Sequence, residues 1–151
     1  MARSRAPDIL VRDARIDEAA AVADLIRELA EGEDVDSGVD AAQVLAYQAH
    51  PDSGVLVAEL GGRPVGALTY FVRPGLFHGG SWGYVDELIV TASVRGRGIG
   101  DALLRAALQR FRAAGCREAA VSTMLDNDAA VALYRKHGFV DESLQLENHF
   151  D

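Results

Sequence analysis

The sequence predicts a mixed α/β domain, and three observations carry that prediction. Apolar residues recur at helical spacing in some stretches and as short strand-like runs in others, so the period switches repeatedly along the chain. Helices and strands do not segregate; the order reads β-α-α-β-β-β-α-β-α-β-β. The 151 residues, 49% hydrophobic and 25% charged, suit one soluble unit whose core needs no staple, so 1–151 is read as a single domain.

Each element has its own warrant. Ile9–Arg12 is apolar enough for a first strand. From Asp17 to Ala30, Val22, Leu25, Ile26 and Leu29 make one helical stripe. Glu31–Asp40 is acidic and reads as a loop, and Asp40 with Gln43 three residues later is a capping box opening a helix over Ala41–His50. Val55–Leu60, the Gly61-Gly62 turn and Val65–Val72 form a hairpin. Arg73–Gly83, with four glycines and a proline, reads as a loop before a fourth strand, Tyr84–Val90. Ile99, Leu103, Leu104, Ala107, Leu108 and Phe111 stripe a long helix that Gly115 caps. Ala119–Met124 is a fifth strand, Asp126-Asn127 opens a helix running to about His137, and Gly138 ends it. Phe139–Val140 and Leu144–Phe150 are expected to finish the chain as strands.

Composition excludes several function classes. A net charge of -8 repels nucleic acid and anionic membrane, and no apolar run approaches the roughly 20 residues that span a bilayer. No apolar stretch follows the first residues, MARSRAPD, so a cytoplasmic location is expected. The single cysteine, Cys116, forms no internal disulfide, and the four histidines show no metal-ligand spacing, so no metal is expected. The charge is compatible with a cationic small-molecule partner, although net charge speaks mostly to solubility.

The most informative residues are Arg95-Gly96-Arg97-Gly98-Ile99-Gly100-Asp101, between a strand and an amphipathic helix. Glycines there let successive N–H groups converge, and the helix adds its positive N-terminal end, so the turn suits a pyrophosphate. Asp101 stands where a dinucleotide fold needs its third glycine, and the lysine of a P-loop is missing. The remaining pattern, Arg95-x-x-Gly98-x-Gly100, resembles the pyrophosphate loop of the GNAT superfamily of acyl-CoA N-acyltransferases.

The segment Asn127–Phe139 is similar to that family's second cofactor segment, and the hairpin Val57–Gly66 and Asp86–Val90 look like its second, third and fourth strands. The resemblance implies a GNAT-like central mixed, mostly antiparallel sheet, its fourth and fifth strands a splayed parallel pair, with helices on both faces. It implies acetyl-CoA (coenzyme A) as cofactor, its arm held by backbone groups around Leu88, Ile89 and Val90 and by Asn127, with Tyr134 donating a proton to the departing thiolate. Backbone N–H groups of the fourth strand would polarise the thioester carbonyl. Asn127 and Tyr134, seven residues apart, share a helical face. Pairing through the last strands would give a homodimer.

Acylation needs a neutral amine, hence a base. Some members carry a glutamate in the fifth strand; Ser122 stands there instead, leaving Asp86 and Glu87 as candidates. Alternation allows only one of them to face the cleft, Asp86 siding with Leu88 and Val90, and Glu87, the favoured one, with Ile89. Glu33 and Asp34 in the acidic loop, and Phe77, His78 and Trp82 in the Gly-rich loop, are candidates for holding a small-molecule amine. A protein N-terminus or lysine is the alternative acceptor. A non-catalytic acyl-CoA sensor is the alternative function.

Overall fold

The computed structural model describes residues 8–150, so the segment 1–7 read above for a signal, and Asp151, lie outside it. The chain runs β1 (Leu10–Asp13), α1 (Ala19–Gly32), α2 (Ala41–Ala49), β2 (Ser53–Leu60), β3 (Arg63–Arg73), β4 (Trp82–Val90), α3 (Ile99–Ala113), β5 (Glu118–Val121) and α4 (Asp128–Lys136). Among the described residues these strands form one sheet in the order β1-β2-β3-β4-β5, antiparallel throughout except for the parallel β4–β5 pair. No described helix is long and apolar enough to cross a membrane.

The two-residue strand period sorts the core into two layers. Leu56, Ala58, Leu68 and Val85 point to one face, where Leu103, Leu104, Ala107 and Phe111 of α3 cover them and Tyr134 of α4 joins. Gly83 is what lets the Phe111 ring lie against β4, because a Cβ there would collide with it. Val55 and Val57 point to the opposite face, beneath Ala19, Val22 and Ala23 of α1 and Val44 of α2. Leu25 continues that layer over Ala67 and Ile89.

Helix ends show how local chemistry sets boundaries. The capping box forms as expected: Gln43 N–H donates to Asp40 Oδ1 at 2.9 Å, and Asp40 N–H donates to Gln43 Oε1 at 3.0 Å. At the other end of the acidic segment, α1 runs two residues beyond the expected stop, through Gly32. Its left-handed terminator is Asp34 at φ 56°, and the Val35 N–H closes on the Ala30 carbonyl at 2.9 Å in the Schellman manner. A short polar side chain, rather than a glycine, takes the left-handed position.

The C-terminal expectation requires correction. Among the described residues no strand follows Val121: β5 is four residues long, and neither Phe139–Val140 nor Leu144–Phe150 joins the sheet. A strand needs a partner for its backbone groups and an apolar face to bury. Here Leu144 is 79% exposed and Phe150 91% exposed, so within one chain nothing drives the pairing. Side chains tether this stretch instead, through Arg135 to Asp141 at 3.0 Å and Tyr84 Oη to Gln145 Oε1 at 3.0 Å.

Candidate functional site

The glycine turn is a backbone device. Beyond β4, Thr91 opens a short 3-10 turn over Ala92–Val94, and Arg95 folds back so that its Nε donates to the Val90 carbonyl at 2.9 Å. Gly96 and Gly98 both sit at φ +78°, left-handed, and Gly98 is the N-cap of α3. A Cβ added at either would meet nothing within 4 Å, so open space lies over both. No backbone bond among the described residues engages the amides of Gly96, Arg97 and Gly98, and those of Ile99, Gly100 and Asp101 are the orphan donors of a helix start. An anion with several oxygens fits such a cradle.

Side chains lock this turn from two sides. The Glu28 carboxylate of α1 accepts from Thr91 Oγ1 at 2.9 Å and from the Ala92 N–H at 2.9 Å. Asp101, in the first turn of α3, is held by Lys136 Nζ and His137 Nε2, each at 2.9 Å, at the end of α4. Those two hydrogen bonds, Lys136 first, hold its carboxyl below the usual range. Its negative charge is thus occupied by α4, and the cradle receives its amide.

Next to the turn, the sheet opens. The parallel register of β4 with β5 runs from Trp82↔Glu118 to Val85↔Val121 and stops. From there Leu88, Ile89 and Val90 keep their β3 partners Leu68, Ala67 and Gly66, while among the described residues their other backbone edge has no strand beside it. Such an edge can bind an extended chain. On α4, Tyr134 is 8% exposed, rests edge-on against Phe139 at 5.8 Å, and is pushed up to about 12, by burial first and by Glu33 second. Asn127 caps α4, its Oδ1 accepting the Ala130 N–H at 3.1 Å, which leaves its amide nitrogen to donate elsewhere.

The opposite sheet face carries the acids, and here alternation fails. Thr69 pairs with Glu87 but Tyr70 pairs with Val85, so Asp86 is the extra residue of a β-bulge. The bulge sends both carboxylates to one face, correcting the expectation that only one could point there. Tyr47 Oη from α2 donates to Asp86 Oδ2 at 3.3 Å. Thr69 Oγ1 donates to Glu87 Oε2 and accepts the Glu87 N–H at 2.9 Å. Burial raises both carboxyls above their ordinary range, and Asp86 adds to the rise at Glu87. Asp86 keeps an exposed side that water screens, whereas Glu87 is more enclosed.

The remaining sequence candidates scatter. Trp82 begins β4 on this acid-bearing face, against Phe71 and Tyr84. Phe77 is 94% exposed, and His78 turns to Glu118 at the start of β5, 3.1 Å away. Glu33 lies near enough to Tyr134 to affect it, while Asp34 serves the helix end. Ser122 is bonded to Tyr84, Oγ to Oη at 2.6 Å. Sequence reasoning passed over Glu28, Tyr47 and Thr69. A capping pattern spans a few residues, but these bonds join residues 18 to 64 apart, and no local spacing signals them.

Comparison with known proteins agrees with this geometry. Residues 19–139 match the model of a family described as "Acetyltransferase (GNAT) family". The chain is 31% identical over 105 residues to a probable glucosamine 6-phosphate N-acetyltransferase 2 of Oryza sativa subsp. japonica, covering 66% of this chain and 61% of that protein. It is 36% identical over 58 residues to N-alpha-acetyltransferase MAK3 of Arabidopsis thaliana, covering 38% of this chain and 30% of that protein. The chain therefore spans less than two thirds of the length of the curated relatives it matches. Among solved structures, an aminoglycoside N-acetyltransferase in complex with CoA matches at a TM-score of 0.81 with 18% identity, covering 98% of both chains, a likeness of fold.

Proposed function

The chain belongs to the acetyltransferase (GNAT) family, and from that premise we propose that it moves an acetyl group from acetyl-CoA to a primary amine by direct attack in a ternary complex. The observation that carries this reading is the open, left-handed Gly96/Gly98 cradle at the start of α3, beside an unpaired stretch of β4. Acetyl-CoA supplies the acetyl group as an activated thioester. The amides from Gly96 to Asp101 would hold its pyrophosphate, and the free edge at Leu88, Ile89 and Val90, with the Asn127 amide, would hold its arm.

The acids and the phenol divide the proton work. Glu87, with Asp86 beside it, accepts the ammonium proton; a carboxylate with a raised pKa is a stronger base than an ordinary one. Tyr134, kept protonated by its burial, keeps an O–H to donate to the departing sulfur. A thiol is acidic enough, near pKa 8.5, that a hydrogen bond assists its departure before full transfer. The acidic residues around Glu33 favour a small cationic amine as acceptor. The names of curated relatives span sugar-phosphate and protein N-terminal acceptors, so a protein N-terminus is the second acceptor considered. A homodimer through the exposed Leu144–Phe150 stretch and a reducing, cytoplasmic setting suited to the free Cys116 complete the reading.

The test is release of free thiol from acetyl-CoA with a panel of polyamines, aminoglycosides, amino acids and peptides. Release that depends on an amine supports the proposal. Tight binding of the cofactor with no release from any amine favours an acyl-CoA sensor.

A further inference from the structure

The acid-bearing face of the sheet continues into a group of rings that the proton chemistry above leaves unused. Phe71 of β3 stacks on Tyr84 of β4, centroids 5.0 Å apart and planes 15° from parallel. Trp82 stands edge-on to both, at 6.0 Å from Phe71 and 5.7 Å from Tyr84. The guanidinium of Arg73 lies over Phe71, 4.5 Å from its centroid, and 5.5 Å from that of Trp82. β3 alternation puts Thr69, Phe71 and Arg73 on this same face, away from Leu68, which packs under α3.

Arg73 is exposed and, among the described residues, has no carboxylate within ion-pair distance. Asp86 feels the Arg73 charge, which works against the rise of its carboxyl, yet no ion pair holds the guanidinium as Arg12 and Arg110 are held; the rings hold it instead. A guanidinium resting flat on a ring has its orientation fixed while its edge N–H donors stay free, which suits bidentate capture of a carboxylate or a phosphate. The Arg73 head lies over Phe71, two residues along the strand from Thr69, the residue that holds Glu87. At about 3.3 Å of rise per residue, the cation and the proposed base stand on the order of 7 Å apart.

We propose that Arg73, seated on Phe71 and Trp82, is an anion subsite for the acceptor, so that the acceptor is an amine bearing a second, anionic group. The amine end meets Glu87 and Asp86, and the carboxylate or phosphate end meets the Arg73 fork. This rests on the acetyl-transfer reading and narrows its substrate class from amines in general to amines with an anion a few bonds away. The acidic surface attracts the ammonium end from a distance, and the Arg73 fork orients the molecule once it arrives.

The experiment measures kcat/KM for thiol release with three short amines: 4-aminobutyrate, 3-aminopropyl phosphate and 3-aminopropanol, which carries no anionic group. The wild type is expected to favour at least one anionic amine over 3-aminopropanol by about tenfold or more, chiefly through KM. In Arg73→Gln that preference should collapse toward unity, and Arg73→Lys should restore only part of it because the fork is lost. The carboxylate and phosphate arms separate the two anion chemistries. A wild-type enzyme that uses 3-aminopropanol as well as its anionic counterparts overturns the subsite but leaves acetyl transfer standing. A preference that survives in Arg73→Gln does the same. No release with any amine overturns both.

Discussion

The two sides of the sheet opening are built by different means. On one side, the cradle of Gly96, Gly98 and the first turn of α3 is made of backbone, shaped by two left-handed glycines. On the other, the proposed acceptor face is made of side chains from β3, β4 and α2, brought together by a bulge at Asp86. A backbone site depends on what is absent, namely a Cβ. A side-chain site depends on what is present, and on the register that aims it. Their responses to substitution should differ accordingly.

The sharpest break is Gly98→Val. Valine resists a left-handed φ and would fill the open space over the turn, so CoA affinity should fall by about 10³-fold or more, read by calorimetry. Retained affinity would detach the cradle from the cofactor. On the acceptor side, Glu87→Gln should lower kcat/KM by roughly 10²-fold or more at neutral pH, while CoA binding is unchanged. The wild-type rate should rise as pH climbs through the elevated Glu87 pKa, and that limb should vanish in the variant. If Asp86→Asn removes the limb instead, Asp86 is the base. The same group bears on stability with the opposite sign. Its folded pKa is raised, so the native state binds the extra proton, and stability is lost as pH rises from the unfolded toward the folded value. Glu87→Gln should therefore raise Tm near pH 7, and that advantage should shrink as the pH falls from the raised folded value toward the ordinary glutamate value, and be gone below it.

Tyr134→Phe should lower kcat by about 10²-fold with little change in cofactor affinity, because the ring keeps its packing on Phe139. An unchanged kcat would remove the phenol from the chemistry. The smallest effect belongs to Glu28→Gln. The amide keeps an acceptor for the Thr91 hydroxyl and the Ala92 N–H but loses the charge, so CoA affinity should weaken by about threefold to tenfold. The fold should hold in circular dichroism. No change would make Glu28 a bystander to the cradle.

The same contrast explains what the sequence disclosed. The α3 stripe, the Asp40–Gln43 box and the glycine turn were legible, because each is written in residues a few positions apart. The faces of β2 were not legible in this way, because Val55–Ala58 is apolar throughout; the structure puts Leu56 and Ala58 on one face and Val55 and Val57 on the other. The bulge that gathers Asp86 with Glu87 was not legible, because it arises from how β3 registers against β4, and no residue type marks it. Nor was the length of β5. Ala119–Met124 is strand-like throughout, yet pairing ends at Val121, where its neighbour diverges. The tail shows the reverse failure: a strand-like pattern without a partner stays out of the sheet.

Helix α1 meets the cofactor side twice, both times near its C-terminal end. Its Glu28 grips the entrance to the glycine turn, and just past its last residue Glu33 acts on the Tyr134 phenol. The two contacts lie five residues apart, about 7 to 8 Å along the helix axis. Any shift of this helix end would therefore move the collar of the glycine turn and the neighbour of the phenol together.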